Sequence, residues 1–355
     1  MNVLITAPSL NTKDNVSGIS TVAGNIIRHS GQNFRHLELG SKDKKLFIPK
    51  WLFRQISIYI RFLFKLRHVD IVHINTAFNP LSICRDYILI LLTKISGKKI
   101  IMHIHGGRYL MENCTQPFIN FAIKNSLKLS DAIIVLSNKE SLIVSNLLKD
   151  KGKIYALPNC IDLGSIKPER SPRNPDIPLN IIFLGRIHES KGIDDIEEGI
   201  KKLNDCNKNF IFTLYGAGPL RERFIFNMRN TLNGRFIDKG IVHGEAKWKA
   251  LNESDILLLP SRYGEGMPMS MLEAMATGNV VVVTDDASIT TVIKDNINGR
   301  IVNKKDPQNI CDTLMDLIEN PEKLKFISQN AIKTIYNHYN LTDYISELDK
   351  IYSRI

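Results

Sequence analysis

Glu265-Gly-Met-Pro-Met-Ser-Met-Leu-Glu273-Ala-Met-Ala-Thr-Gly278 follows an apolar run, Asp255-Ile-Leu-Leu-Leu-Pro260, that suits a buried strand and is too short for a helix. Pro268 fits a first helical position, and Gly278 fits the residue just past a helix end. The pattern predicts a strand, a loop and a helix starting near Pro268. The backbone of Gly266, Met267, Pro268 and Met269 would form that helix start, where unpaired amides favour an anion. Gly266 would let a ligand approach the chain closely. Glu265 precedes the helix and Glu273 lies over a turn inside it, so the two bracket the site instead of forming a surface pair. Taken alone they could equally be a loop acid and an exposed helical Glu.

A chain of 355 residues, 43% hydrophobic and 23% charged, is long enough for two globular domains. Five cysteines show neither a C-x-x-C pair nor metal spacing, and most are expected to be buried thiols in a reducing compartment. The N-terminal sequence lacks the pattern of a signal peptide, and no apolar run is long enough to span a bilayer, so a cytoplasmic protein is expected. The net charge of +11 is uneven. Residues 1–163 hold 22 Lys and Arg against 10 Asp and Glu, a balance of +12, whereas residues 164–355 hold 25 against 26. The first half therefore suits a polyanionic partner: nucleic acid, anionic lipid or a phosphate-bearing acceptor.

Short apolar runs alternate with longer mixed segments, as in β-α units of a parallel sheet. The first half offers strands at Val3–Thr6, Ile71–Ile74, Lys99–Ile104, Ala132–Leu136 and Ile154–Leu157. The second offers Leu179–Leu184, Phe210–Tyr215, Arg235–Val242, Ile256–Leu259 and Val280–Thr284, then helices to the end. Between them, residues 164–178 hold four prolines and read as a linker. Gly18, at a helix start, is either a plain turn or a phosphate-approach glycine. Lys50 to His68 forms a basic, aromatic-rich helix with Lys50, Trp51, Arg54, Arg61 and Lys65 as membrane-facing candidates. A sheet-packing helix with one solvated basic edge explains the same pattern, and the two readings can coexist.

Leu184-Gly185-Arg186-Ile-His-Glu-Ser-Lys191-Gly192 follows the first strand of the second half. Its Arg and Lys would lie where open α/β sheets bind ligands, and could neutralise a departing diphosphate. A surface Arg and Lys would be unremarkable singly; beside Glu265 and Glu273 they form a constellation. Together these strings resemble glycosyltransferase family 4, retaining enzymes of the GT-B fold, through G-R-x-x-x-x-K-G and E-x7-E. Tyr215-Gly-Ala-Gly-Pro219, Val242-His-Gly244, Pro158-Asn-Cys-Ile-Asp162 and His103-Ile-His105-Gly-Gly-Arg108 resemble further family strings in the same order. The chain departs from the family at Cys160, at Ser17-Gly18 and at Asp286-Ala-Ser-Ile-Thr-Thr291, where glycines or a Glu are usual.

The resemblance implies an α/β protein of GT-B architecture, with two Rossmann-like parallel-sheet domains facing across a cleft. An acceptor-binding domain would span 1–163, a linker 164–178 and a nucleotide-sugar-binding domain 179–335, with a C-terminal helix at 336–355 crossing back. It implies transfer of a hexose from a nucleoside diphosphate sugar, UDP- before GDP-linked, to a glycan acceptor in cell-surface polysaccharide biosynthesis. Glu273 would hold the ribose, Arg186 and Lys191 the diphosphate with help from the Gly266–Met269 backbone, and Glu265 the sugar hydroxyls. His105 would face the sugar, and Gly18 would let a loop close on phosphate. No D-x-D triplet occurs, so no metal or other cofactor is expected. The basic first half fits a lipid-linked acceptor and peripheral attachment to an anionic membrane. The rival readings are a sugar-nucleotide epimerase or soluble disaccharide synthase of the same fold, and a basic nucleic-acid-binding protein. The last lacks any recognisable nucleic-acid module.

Overall fold

The computed structural model describes residues 1–11, 17–40, 48–112, 114–148, 152–166 and 177–355. The chain forms two compact units, Met1–Asn159 with Leu341–Ile355, and Cys160–Asn340. The linker expected at 164–178 lies largely outside the described residues.

The first unit is a six-stranded parallel sheet of order β2-β1-β3-β4-β5-β6. Its strands are β1 (Asn2–Ala7), β2 (Asn33–Glu38), β3 (Ile71–Thr76), β4 (Lys99–Ile104), β5 (Ala132–Val135) and β6 (Ile154–Ala156). The intervening helices are α1 (Gly18–His29), α2 (Ile48–Leu66), α3 (Pro80–Ile95), α4 (Arg108–Met111), α5 (Pro117–Leu129) and α6 (Asn138–Leu148). Strand alternation sends Val72, Ile74, Ile100 and Met102 into one core, with Ile58 and Phe62 of α2, Leu89 of α3 and Ile123 of α5. Packing places α2, α3, α5 and α6 side by side there, whereas α1 packs against the chain's last helix on the other face.

The second unit repeats the plan with order β12-β11-β10-β7-β8-β9. Its strands are β7 (Leu179–Leu184), β8 (Phe210–Tyr215), β9 (Phe236–Gly240), β10 (Ile256–Leu259), β11 (Val280–Thr284) and β12 (Arg300–Val302). Helices α7 (Ile193–Asp205), α8 (Arg221–Leu232), α9 (Gly244–Asn252), α10 (Met269–Ala276) and α11 (Ile289–Val292) connect them. Helices α12 (Pro307–Glu319) and α13 (Pro321–His338) follow, and α14 (Leu341–Ser353) belongs to the first unit. β10 and β11 are buried throughout because helices cover both faces, so they read as continuous Leu and Val runs.

Several expectations change. β2 and β12, both at sheet edges, were not among the expected strands. Pro268 is the residue before α10, with φ −60° and ψ 126°, not its first helical residue. Only Cys160 and Cys311 are buried; Cys84 and Cys114 are half-buried and Cys206 is exposed. In α2, Ile58, Phe62 and Leu66 face the sheet. Arg61 is exposed and Lys65 half-buried, while the side chains of Lys50, Trp51 and Arg54 lie outside the described residues.

His73 and His103 are fully buried in the first unit. The Tyr352 hydroxyl of α14 lies 2.6 Å from His73 Nδ1, and His73 Nε2 lies 3.2 Å from His103 Nδ1. His103 Nε2 is buried without a hydrogen-bond partner. Burial lowers His73 to about 3 and holds His103 well below the ordinary histidine range. Unfolded histidines titrate near 6.5, so between about pH 3 and 6.5 the unfolded chain binds more protons than the folded one, and stability falls as pH falls. Each such histidine contributes up to about 1.4 kcal/mol per pH unit inside that window. Urea midpoints measured from pH 7 to 4 should decline accordingly, and a flat profile would contradict this account. Tyr352→Phe, which leaves His73 Nδ1 unpaired, should cost about 1–3 kcal/mol in the same measurement.

Candidate functional site

Chain direction across the second sheet reverses between β7 and β10: from β7 the chain runs outward through β8 and β9, then returns to β10 on the other side. The carboxyl ends of these two adjacent strands form the topological switch point where open α/β sheets place ligands. Arg186 and Lys191 follow β7, and Glu265 and Glu273 follow β10. The two loops meet: Lys191 Nζ donates to Glu265 Oε1, and the Arg262 amide donates to the Ser190 carbonyl at 2.8 Å.

This approach requires particular backbone. Gly192 has φ +69° at the start of α7, and a Cβ there would lie 2.2 Å from the Pro260 carbonyl oxygen. At Gly216, with φ +147°, a Cβ would lie 1.9 Å from the Gly185 oxygen. The Gly-Ala-Gly-Pro turn thus lets the loops after β7 and β8 touch, which is a packing role. Arg262 forms a bidentate pair with Asp195 in the first turn of α7, two bonds of 2.7 Å, tying the loop after β10 to the helix after β7.

Glu265 is 6% exposed and Glu273 4%. Ser261 Oγ donates to Glu265 Oε1 at 2.6 Å, and the Glu265 amide donates to Asp286 Oδ2 at 2.8 Å. Lys304 Nζ holds the other Asp286 oxygen at 2.8 Å. Lys247, on α9, donates to Glu273 Oε1 at 2.6 Å. The site is therefore a set of paired charges, acid beside cation, held by five separate segments. Arg186 is exposed and makes no ion pair among the described residues. Gly266, Met267 and Met269 are buried, and Pro268 is half-buried and lacks an N–H. Next to Asp286, Ala287 adopts φ +41°, the left-handed region that a glycine would occupy freely.

Ser261, Asp286, Lys304 and Lys247 were not among the residues singled out from the sequence as site groups. Asp286 stood out only as a departure from the family string, and the others carried no local signal. In the first unit, His105 Nε2 lies 2.7 Å from Asn75 Oδ1, and Asn75 Nδ2 donates to the Thr6 carbonyl at 2.9 Å. The His105 ring lies over His103 at 4.0 Å between centroids, and burial pushes its pKa down to about 3, although the residue as a whole is only half-buried. Gly18 is exposed at the first position of α1, and residues 12–16 before it lie outside the described residues. Among the described residues, no three His, Cys, Asp or Glu side chains gather into a metal-ligating group.

Comparison with known proteins bears on the enzyme class and the fold. Residues 167–334 match the family described as glycosyl transferases group 1. An uncharacterised glycosyltransferase of Methanocaldococcus jannaschii is 26% identical over 270 residues, covering 73% of this chain and 69% of the relative. The UDP-Gal:alpha-D-GlcNAc-diphosphoundecaprenol alpha-1,3-galactosyltransferase of Escherichia coli is 23% identical over 321 residues, covering 84% of this chain and 78% of the relative. Among solved structures, Anabaena HepE in complex with UDP superposes with a TM-score of 0.77 at 13% identity, each chain covered in full. That likeness establishes the fold. The domain match and the curated relatives set aside the reading as a nucleic-acid-binding protein. The chain is a glycosyltransferase of the GT-B fold, whose residues 167–334 match the glycosyl transferases group 1 model.

Proposed function

We propose that the protein is a retaining hexosyltransferase of cell-surface polysaccharide assembly. It takes a nucleoside diphosphate sugar, UDP-linked in preference to GDP-linked, and a lipid-linked glycan acceptor, and works peripherally at the inner face of a membrane. The observation that carries this reading is the contact of Lys191 with Glu265 at the switch point, beside the Lys247–Glu273 pair. The E. coli relative is named for a UDP-galactose donor and a diphosphoundecaprenol-linked acceptor, and HepE is titled as a UDP complex, which supports the donor and acceptor classes proposed.

A donor supplies the groups that such pairs need when opened. Its diphosphate offers anionic oxygen to Lys191 and to exposed Arg186, and its sugar hydroxyls donate to Glu265. Its ribose hydroxyls donate to Glu273, while Lys247 keeps that carboxylate charged. Binding therefore exchanges partners instead of stranding a buried charge, the costly alternative. As the glycosidic bond to the β-phosphate breaks, negative charge grows on the leaving diphosphate, and Arg186 and Lys191 stabilise it more than they stabilise the ground state. In the retaining course proposed, the acceptor hydroxyl attacks from the face that the diphosphate leaves, and the departing phosphate oxygen takes its proton. The two cations supply the charge compensation that a divalent metal gives other transferases, so metal independence is part of the proposal. His105 would face the transferred sugar, and Gly18 the donor phosphate.

Binding of UDP, GDP and ADP measured with and without EDTA tests the donor site. UDP should bind in EDTA, and Glu273→Gln should weaken it about 10- to 100-fold, as expected for loss of hydrogen bonds to a charged group. Equal weak binding of all three, unchanged by the substitution, would sink the proposal, and donor turnover without any glycan acceptor would point to an epimerase. Asp286→Ala, which releases both the Glu265 amide and Lys304, should leave the UDP Kd near the wild-type value and lower kcat at least about tenfold. A loss confined to nucleotide affinity would contradict this placement of Glu265 beside the sugar.

A further inference from the structure

The helices layered on one face of the first unit carry an outer surface unlike a solvated one. On α2, the side opposite Ile58, Phe62 and Leu66 exposes Phe53, Ile56, Ile60, Leu63 and Phe64. At helical spacing these five fall within an arc of about 100°. On α3, Leu81, Ile88 and Ile95 recur every seventh residue, all exposed and opposite the buried Ile83 and Ile90. On α5, Phe118 and Phe121 are exposed, and the Phe121 ring meets Tyr87 of α3 edge-on at 6.1 Å, so the outer faces of α3 and α5 join. α2 packs against α3 in the same layer. Scattered exposed apolar side chains need no explanation, but ten on three neighbouring helices, with Phe53 at 80%, Leu81 at 75% and Ile95 at 83% exposure, mark a contact surface.

Charge identifies the occupant. The sequences of α2, α3 and α5 contain one acid, Asp86, which is 1% exposed and held by Arg85 in two bonds of 2.7 and 3.0 Å. Arg61, Lys124 and Lys128 are exposed on the same helices, and Arg67 is exposed just past the end of α2. The outer faces of these three helices are thus apolar and cationic without an exposed carboxylate of their own. A second copy of the chain would bring like charge against like. An anionic lipid leaflet matches both properties, offering an acyl boundary to the apolar side chains and phosphates to the cations. Among the described residues no helix is long and apolar enough to cross a membrane, so the contact is one of lying on the surface.

We propose that α2, α3 and α5 together, and not α2 alone, form a face that docks the first unit on an anionic bilayer. The proposal extends the lipid-linked acceptor reading above, and its test does not depend on sugar transfer. The full-length chain would be floated with vesicles of phosphatidylcholine, with or without about 30 mol % phosphatidylglycerol. Wild type should float with the anionic vesicles and much less with the neutral ones. Ile60→Glu on α2, Ile88→Glu on α3 and Phe121→Glu on α5 should each lower the partition about tenfold, because each places a carboxylate at the contact. All three positions are exposed, and circular dichroism checks that the variants fold. UDP affinity should stay at the wild-type value in each, which separates failure of this surface from failure of the donor site. Loss with Ile60→Glu alone would confine the contact to α2 and overturn the three-helix face. Equal flotation with neutral vesicles, or a wild-type dimer in sedimentation that these variants convert to monomer, would overturn it as well.

Discussion

The ion pair between Lys191 and Glu265 makes one site of two loops that are far apart in sequence. It exists because β7 and β10 are neighbours although β8 and β9 come between them in the chain. Its carboxylate side chain is 8% exposed and its ammonium side chain 23%. Removing one partner would leave a charge with little water to compensate it, a larger penalty than removing both. Ser261, Asp286 and Lys304 add a second tier: Ser261 fixes the carboxylate, Asp286 fixes the backbone that carries it, and Lys304 neutralises Asp286 in turn. A site assembled in this way holds the backbone and the carboxylate of Glu265 in place before any ligand arrives, so a donor has only to exchange the partners of the paired side chains.

What the sequence revealed, and what it did not, follows from the range of each interaction. The central strands were legible because a parallel strand covered on both faces must be apolar throughout, as in Val280–Thr284. β2, reading Asn-Phe-Arg-His-Leu-Glu, is an edge strand with alternating exposure, and β12 has three residues, so neither offered a continuous apolar run. Arg186, Lys191, Glu265 and Glu273 stand out in the sequence because each lies in a short string of its own, and of these the structure brings Lys191 and Glu265 together. Lys247 and Asp286 do not stand out: they lie 26 and 21 residues from the glutamates they contact, a separation fixed by sheet topology and helix orientation that no local pattern encodes. The helix start at Gly266–Met269 has the sequence of an approach surface, yet Met267 and Met269 are buried in the core.

The histidines show the same limit from another side. Residue type and a strand-end position favoured His105 over His73 and His103, and nothing local linked any of them to the chain terminus. Strand alternation turns His73 and Asn75 to one face of β3, and the neighbouring β4 turns His103 and His105 the same way. His103 and His73 then form a buried row ending on Tyr352 of α14, while His105 turns to Asn75, whose Nδ2 donates to the Thr6 carbonyl. Two adjacent strands thus give one group of histidines two uses. The enclosed pair fastens the last helix, and the accessible one remains where a strand end can present it.

The charge asymmetry divides along similar lines. In the second unit four cations near the site, Lys191, Lys247, Arg262 and Lys304, each meet an acid within hydrogen-bonding distance, and among the described residues Arg186 alone of the named site cations does not. Pairs this close and this shielded are little affected by salt. The exposed cations of α2 and α5 have no acid on their own helices, so what they attract they attract across water, over distances that physiological salt screens beyond about 8 Å. One polypeptide thereby carries two electrostatic regimes, one short-ranged and specific, the other long-ranged and indifferent to which anion answers it. That division would suit the transferase proposed above, which chooses one nucleotide sugar and works over a lipid surface of mixed composition. The first half's balance of +12 against −1 in the second is its trace in the sequence.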